Sequence, residues 1–245
     1  LQAPFYIDAA TFVFSAAMLT AMRIPMPRMG PEPRGARLLA HLQEGVRYTL
    51  AQPFLKWSTF SLMVGPLAGG AIFVLTPLYA NHVLAHSSGL VGPLRSGAFR
   101  FSLLEVGLGA GALVGSAVAP RLTRIWPRGR VFGLGMLGLG ASTAILAVIS
   151  NVYLAMVAVA LVGSFNSLFL IPALTLLQAL TPSEIRGRVV AVRLTVINGA
   201  LLLGSAVGGP LVQVLSYSAL WLLLGGVVAA ASLFVWLRPE VRAQA

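Results

Sequence analysis

Two carboxylates and three amides lie where a side chain should be apolar. Asp8, Glu105, Asn166, Gln178 and Asn198 all interrupt or adjoin long hydrophobic runs in this 245-residue sequence. A carboxyl group in a medium of low polarity favours its neutral form, so it can take up and release a proton as its surroundings change. Glu105 and Asp8 are therefore candidate proton-coupling groups. For Glu105 the alternatives are contact with a cationic substrate, or simple pairing with Arg100 or Arg95 at a membrane edge. For Asp8 the alternative is a helix-end residue that orients its segment. Asn166, Gln178 and Asn198 are candidates for lining a substrate path, since a buried amide seeks another helix or a water-filled cavity. Hydrogen bonding between helices would satisfy them equally well. Pro172 lies between Asn166 and Gln178, where it removes one backbone bond and frees the Leu168 carbonyl.

Other chemistries lack their residues. His82 and His86 are four apart, as metal ligands on a helix can be, but no Cys, Asp or Glu stands near to complete a site. The third histidine, His41, is remote in sequence. No Ser-His-Asp set and no carboxylate pair suggests catalysis. The expectation is a protein that is not an enzyme and has no metal or cofactor. The run Gly107-Leu108-Gly109-Ala110-Gly111 follows no strand, so it does not read as a dinucleotide fingerprint.

The elements that position these residues are seven apolar stretches, at 4–22, 57–80, 101–119, 131–149, 152–177, 189–212 and 217–237. Each approaches the ~20 residues with which an α-helix crosses a hydrocarbon core. Lipid offers the backbone no hydrogen-bond partner, so such segments must be helical. The fold class is all-α, a polytopic membrane protein. Charged residues make up 9% of the chain and hydrophobic ones 58%, whereas soluble domains carry about 25% charge. The formal net charge of +11 does not indicate nucleic acid as a partner. The basic residues flank apolar runs instead of forming an aromatic-studded face. The expected partner is the lipid bilayer.

Basic residues alternate between connections. Arg23, Arg28, Arg34, Arg37, Arg47 and Lys56 lie between the first two spans, and Arg121, Arg124, Arg128 and Arg130 between the third and fourth. Arg186, Arg188 and Arg193 follow the fifth, and Arg238 and Arg242 follow the last. Of the 17 Lys and Arg residues, only Arg95 and Arg100 lie in the intervening connections. The positive-inside rule places the rich connections in the cytoplasm, hence the N-terminus outside and the C-terminus inside. No starting Met or basic leader precedes Leu1, so the chain reads as beginning just ahead of a helix, as a fragment would.

Residues 23–37 hold four prolines and two glycines and read as a non-helical connector. Leu42, Val46 and Leu50 then mark one face of a short amphipathic helix over 38–52, expected to lie on the cytoplasmic surface. The resulting division is 1–22, one span; 23–53, a linker with its surface helix; 54–237, six spans in close succession; and 238–245, a tail. Glycines at 107, 109, 111 and 115, at 133, 135, 138 and 140, and at 204, 208 and 209 predict close helix packing, with Gly111 and Gly115 forming a GxxxG pair.

Several segments resemble the major facilitator superfamily, in its macrolide-efflux and siderophore-export branch. Phe5-Tyr6-Ile7-Asp8-Ala9-Ala10-Thr11-Phe12 is similar to that branch's sixth helix. Glu44-Gly45-Val46-Arg47-Tyr48 with Gln52-Pro53 resembles the segment before its seventh span, and Thr76-Pro77-Leu78-Tyr79-Ala80 the end of that span. The most specific resemblance is Thr175-Leu176-Leu177-Gln178 with Pro182-Ser183-Glu184-Ile185-Arg186-Gly187-Arg188-Val189. The loop 120–130 keeps the superfamily's basic residues but lacks its acid.

The resemblance implies a secondary transporter that exports drug-like or siderophore-like molecules by proton exchange, two bundles rocking about a midplane site. It makes Arg121, Arg124, Arg128, Arg130, Glu184, Arg186 and Arg188 cytoplasmic gate or loop residues. It also implies that this chain supplies the second bundle, with a small-molecule substrate and the N-terminal six-helix half as partners, and that alone it is inactive. The alternatives are a seven-helix protein without transport activity and a permease subunit driven by an ATPase. The last span has no Lys, so a retinal Schiff base has no anchor there.

Overall fold

The segments expected to span lipid are helical in the computed structural model, which describes residues 3–22 and 36–238. They are α1 (Ala3–Ala21), α2 (Ala36–Ala51), α3 (Pro53–His82), α4 (Gly97–Ile125), α5 (Arg128–Ile145), α6 (Val152–Leu180), α7 (Ser183–Val214) and α8 (Tyr217–Trp236). Among the described residues there are no strands. Helices α3 to α8 are each long and apolar enough to cross a membrane, and α1 supplies a shorter apolar run, Phe5–Ala21. The protein is a polytopic, all-helical membrane protein. The proline-rich connector at 23–35 and the end of the tail lie outside the described residues.

Local chemistry sets the helix ends. Pro53 occupies the first turn of α3, and Pro127 and Pro182 stand immediately before α5 and α7, positions where a missing N–H costs nothing. The Asn151 side chain accepts from the Tyr153 and Leu154 amides at 2.9 and 3.2 Å and so caps α6. Ser216 does the same for α8 through the Ala219 amide, at 3.2 Å. Pro172 does not end α6, which continues to Leu180. Helix α4 starts at Gly97, earlier than its apolar run suggests, and so takes Arg100 into its first turn.

The chain divides into two units, 1–38 and 39–245. The first contains α1. In the second, α4 packs on α6 and α3 on α7; α5 packs on α6 and α8 on α3; and α5 and α8 pack together. Exchanging α3, α4 and α5 for α6, α7 and α8 reproduces this set of pairs, so the six spans form two groups of three with matching main contacts. Between the groups lies an aromatic core. Tyr79 packs edge-on to Trp221 at 5.4 Å, and Phe132 lies between Phe54 and Phe169 at 5.9 and 5.1 Å. The Tyr79 hydroxyl, carried into this core, donates to the Ile149 carbonyl at 2.5 Å.

Candidate transport surface

Small residues let the paired helices touch backbone to backbone. A Cβ on Gly111 or Gly115 would collide with the carbonyls of Ala160 or Ser164, and one on Gly163 with that of Leu108. Ser164 and Ser167 then reach across α4–α6 to the Gly111 and Ala112 carbonyls, at 2.8 and 3.0 Å. The equivalent pair, α3–α7, repeats the device. Gly204 meets the Leu67 carbonyl, Gly70 meets that of Leu201, and the Ser205 hydroxyl donates to Gly70 at 3.1 Å. At α5–α8, Gly140 and Gly225 face each other's backbone and Ser232 donates to Gly133 at 3.1 Å. Close approach with hydroxyl cross-links is how helices associate where the hydrophobic effect is absent.

These seams leave two faces uncovered. On α4, the exposed Ser102, Glu105 and Gly109 recur at helical spacing, opposite the buried Leu104, Gly107 and Gly111 and continued by the half-buried Ala112 and Ser116. On α7 the corresponding stripe is Ala191, Thr195, Asn198, Leu202 and Gly209, opposite the buried Ala200, Gly204 and Gly208. The α4 stripe is small or polar, whereas the α7 stripe is mixed, with Leu202 71% exposed beside Thr195 and Asn198. A neighbouring strip of α4 carries Val106 and Leu113, 66% and 73% exposed, the composition lipid prefers.

Glu105 lies on the uncovered stripe and does not pair with Arg100 or Arg95. Arg100 spends its guanidinium on three backbone carbonyls, those of Ala80, Leu94 and Arg95. Asn198 is exposed and its amide donates back to the Leu194 carbonyl at 2.8 Å, so it is tied to its own helix. Asn166 is exposed although Val159 and Ala173, seven residues to either side and so on the same face, are buried. It marks a gap in an otherwise covered stripe. Gln178 is exposed near the end of α6, about 18 Å along the axis from Asn166 and about 120° around it. The structure thus does not gather the three amides into one cluster. Asp8 is exposed on α1, in the separate first unit.

The basic turn residues divide by role. Arg121, Arg124 and Arg130 are exposed around the α4–α5 turn, with Arg128 half-buried. In the α6–α7 turn Arg186 donates to the Thr181 carbonyl at 3.1 Å, and Ser183 donates to the Glu184 carboxylate at 2.9 Å. Arg188 forms an ion pair with Glu44 of α2. Helix α2 is also fastened by Tyr48, whose hydroxyl donates to Leu180 at 2.7 Å, and by Gly45, which sits against Arg188 and Val192. The apolar residues Val46 and Leu50 remain exposed on its other side. His82 stacks on Tyr217 at 6.0 Å, and His86 bonds through Nδ1 to the His82 carbonyl at 2.9 Å.

The packed pairs, their internal equivalence and the paired uncovered stripes are features of a transporter half. A family model described as transmembrane secretion effector matches residues 2–244. The chain belongs to this family of the major facilitator superfamily. No curated protein and no solved structure matches it. Membership makes the protein a secondary transporter embedded in the bilayer. The sequence reading took Arg100 only as a possible partner for Glu105 and Arg193 only as a flanking charge, and missed that each is buried, 3% exposed. The signal was present. Arg100 precedes Gly107, Gly111 and Gly115 by seven, eleven and fifteen residues, and Arg193 precedes Ala200, Gly204 and Gly208 by the same intervals. Both arginines therefore head the stripe that their helix buries.

Proposed function

We propose that this protein exports small organic molecules by alternating access, coupled to protons, in the manner of the macrolide and siderophore exporters it resembles. In this reading 54–237 is one six-helix bundle, 1–22 is a helix of the opposing bundle, 23–53 is the connector and 238–245 the tail. The arginine-rich connections face the cytoplasm. A second bundle completes the pathway, and this chain by itself does not transport.

The observation that carries the reading is the small and polar stripe on the uncovered face of α4, echoed on α7 only by Thr195 and Asn198 beside the exposed Leu202. A face turned to lipid is apolar, as Val106 and Leu113 are. The stripes through Ser102, Glu105 and Gly109 and through Thr195 and Asn198 suit a watered path or a moving protein contact. Glu105 would carry the coupling proton, with Asp8 a second candidate, and Asn198 and Asn166 would meet the substrate. Gln178 would act nearer the α6–α7 turn.

The test is efflux from proteoliposomes holding the transporter with both bundles. Glu105→Gln should abolish the dependence of efflux on an imposed pH gradient while leaving downhill substrate flux measurable. Unchanged gradient dependence would remove Glu105 from the mechanism. Gradient-driven efflux by this chain alone would refute the need for a partner bundle.

A further inference from the structure

The equivalent arginines of the two repeats differ in one respect. Arg100 is a satisfied staple, with its Nε 2.8 Å from the Ala80 carbonyl and its Nη1 2.7 and 3.0 Å from those of Leu94 and Arg95. Arg193 lies ten residues into α7, about 15 Å along the helix, and turns toward α3. Its Nη1 makes one long contact, 3.4 Å, to the Ser58 hydroxyl. Its Nη2 is fully buried and has no partner, and the hydroxyl of Thr59, next to Ser58, is buried and unpartnered as well. No carboxylate among the described residues pairs with it, the one ion pair there being Arg188–Glu44.

A permanently charged guanidinium within a membrane span is expensive unless something neutralises it. A cleft opens about one turn of α7 away, although Arg193 itself does not line it. Where α2, α3 and α7 meet, this cleft of about 270 Å³ is lined by Lys56, Trp57, Thr59, Phe60 and Val196 among others. Thr59 belongs to this wall, and Val196 stands one turn along α7 from Arg193. Lys56 at the mouth is exposed, with its ammonium 5.2 Å from the Trp57 ring, and Arg238 stacks on Trp57 at 4.8 Å. Positive charge thus stands beside the cleft and one turn beyond it. The two unused donors, Thr59 Oγ1 and Arg193 Nη2, are closed off behind its wall, so an anion meets them as α3 and α7 part. The space suits a charged group and its immediate carbon frame better than a whole drug-sized molecule.

We propose that Arg193 and Thr59 form a receptor for the carboxylate or phosphate of an anionic ligand entering between α3 and α7. Lys56 attracts the anion, Thr59 and Arg193 bind it, and Trp57 and Phe60 enclose its apolar part. The proposal concerns binding and holds whether or not the protein couples transport to protons. A free organic anion and an anionic lipid headgroup offer the same chemistry.

Trp57 in the cleft wall provides the readout. The full chain in phosphatidylcholine nanodiscs would be titrated with the quencher 4-nitrobenzoate and with its neutral analogue 4-nitrobenzamide. Saturable quenching by the carboxylate alone is expected, weakened roughly tenfold or more by Arg193→Gln, about the loss of one charge-assisted bond. Arg193→Lys should weaken it less. If Arg193→Gln fails to fold, Thr59→Val and Lys56→Gln provide the test, each expected to weaken binding several-fold. Equal quenching by the amide, or binding unaffected by these variants, overturns the proposal. Replacing part of the lipid with phosphatidylglycerol distinguishes the sources. Competition with 4-nitrobenzoate, lost in the variants, identifies a headgroup site, and its absence a site for a free anion. No saturable binding in either lipid also overturns the proposal.

Discussion

Arg100 donates from Nε to the Ala80 carbonyl at 2.8 Å, so the first turn of α4 is tied to the end of α3 across the connection between them. Two further bonds, to Leu94 and Arg95, hold the 3-10 turn that leads into α4. One side chain closes three backbone groups that helix ends leave open.

Replacing that side chain by an apolar one of similar length should therefore cost more than a surface change. Arg100→Met leaves the three carbonyls without their donor and is expected to lose about 3 kcal/mol. Reversible unfolding in detergent would measure this, and limited proteolysis should find the 86–96 connection newly cleavable. Arg100→Lys should recover only part, because an ammonium lacks the planar fork.

Two glycines on one helix should respond in opposite ways. Gly111→Ala places a Cβ against the Ala160 backbone and should destabilise the α4–α6 pair by about 2 kcal/mol, the usual range for overpacking. Gly109 has nothing within 4 Å of an added Cβ, so Gly109→Ala should be neutral or gain up to about 1 kcal/mol from helix propensity. Paired unfolding curves decide the matter. Equal effects would mean that α4 does not pack on α6 through this face.

The attachment of α2 combines two interactions of different character. The Glu44–Arg188 pair is exposed, so Glu44→Gln should loosen α2 by under about 1 kcal/mol, and salt should erase the difference. Tyr48→Phe removes the hydroxyl that donates to Leu180 and should cost about 1 kcal/mol at any ionic strength. Amide hydrogen exchange across 40–51, at low and high salt, separates the two.

The orientation can be read with single cysteines, since the chain has none of its own. Arg124→Cys falls at an exposed position in the last turn of α4 and Val91→Cys in the exposed connection ahead of its start. In intact cells an impermeant thiol reagent should label the second and not the first. Labelling of both, or of Arg124→Cys alone, would contradict the positive-inside assignment.

How far the sequence could be read differs from residue to residue. The span at 152–177 became α6 over Val152–Leu180, and the run from 217 became α8, because hydrophobic length is a local property. The Gly111 and Gly115 pair was legible as a seam, since small residues four apart identify a close-packing face without naming the partner. Asn166, Gln178 and Asn198 could not be placed relative to one another. Whether amides on different helices share a path depends on helix rotation, and on α6 itself Asn166 and Gln178 lie about 18 Å apart along the axis.

The chain's own residue order determined which segments are long and apolar, that they are helices, and which connections carry positive charge. These follow from the transfer cost of individual side chains and backbone groups. Only the tertiary structure decided that α4 pairs with α6 and α3 with α7, and that Arg100 is satisfied while Arg193 is not. Partner choice is a property of two surfaces at once, and a buried charge has no meaning until its neighbours are known.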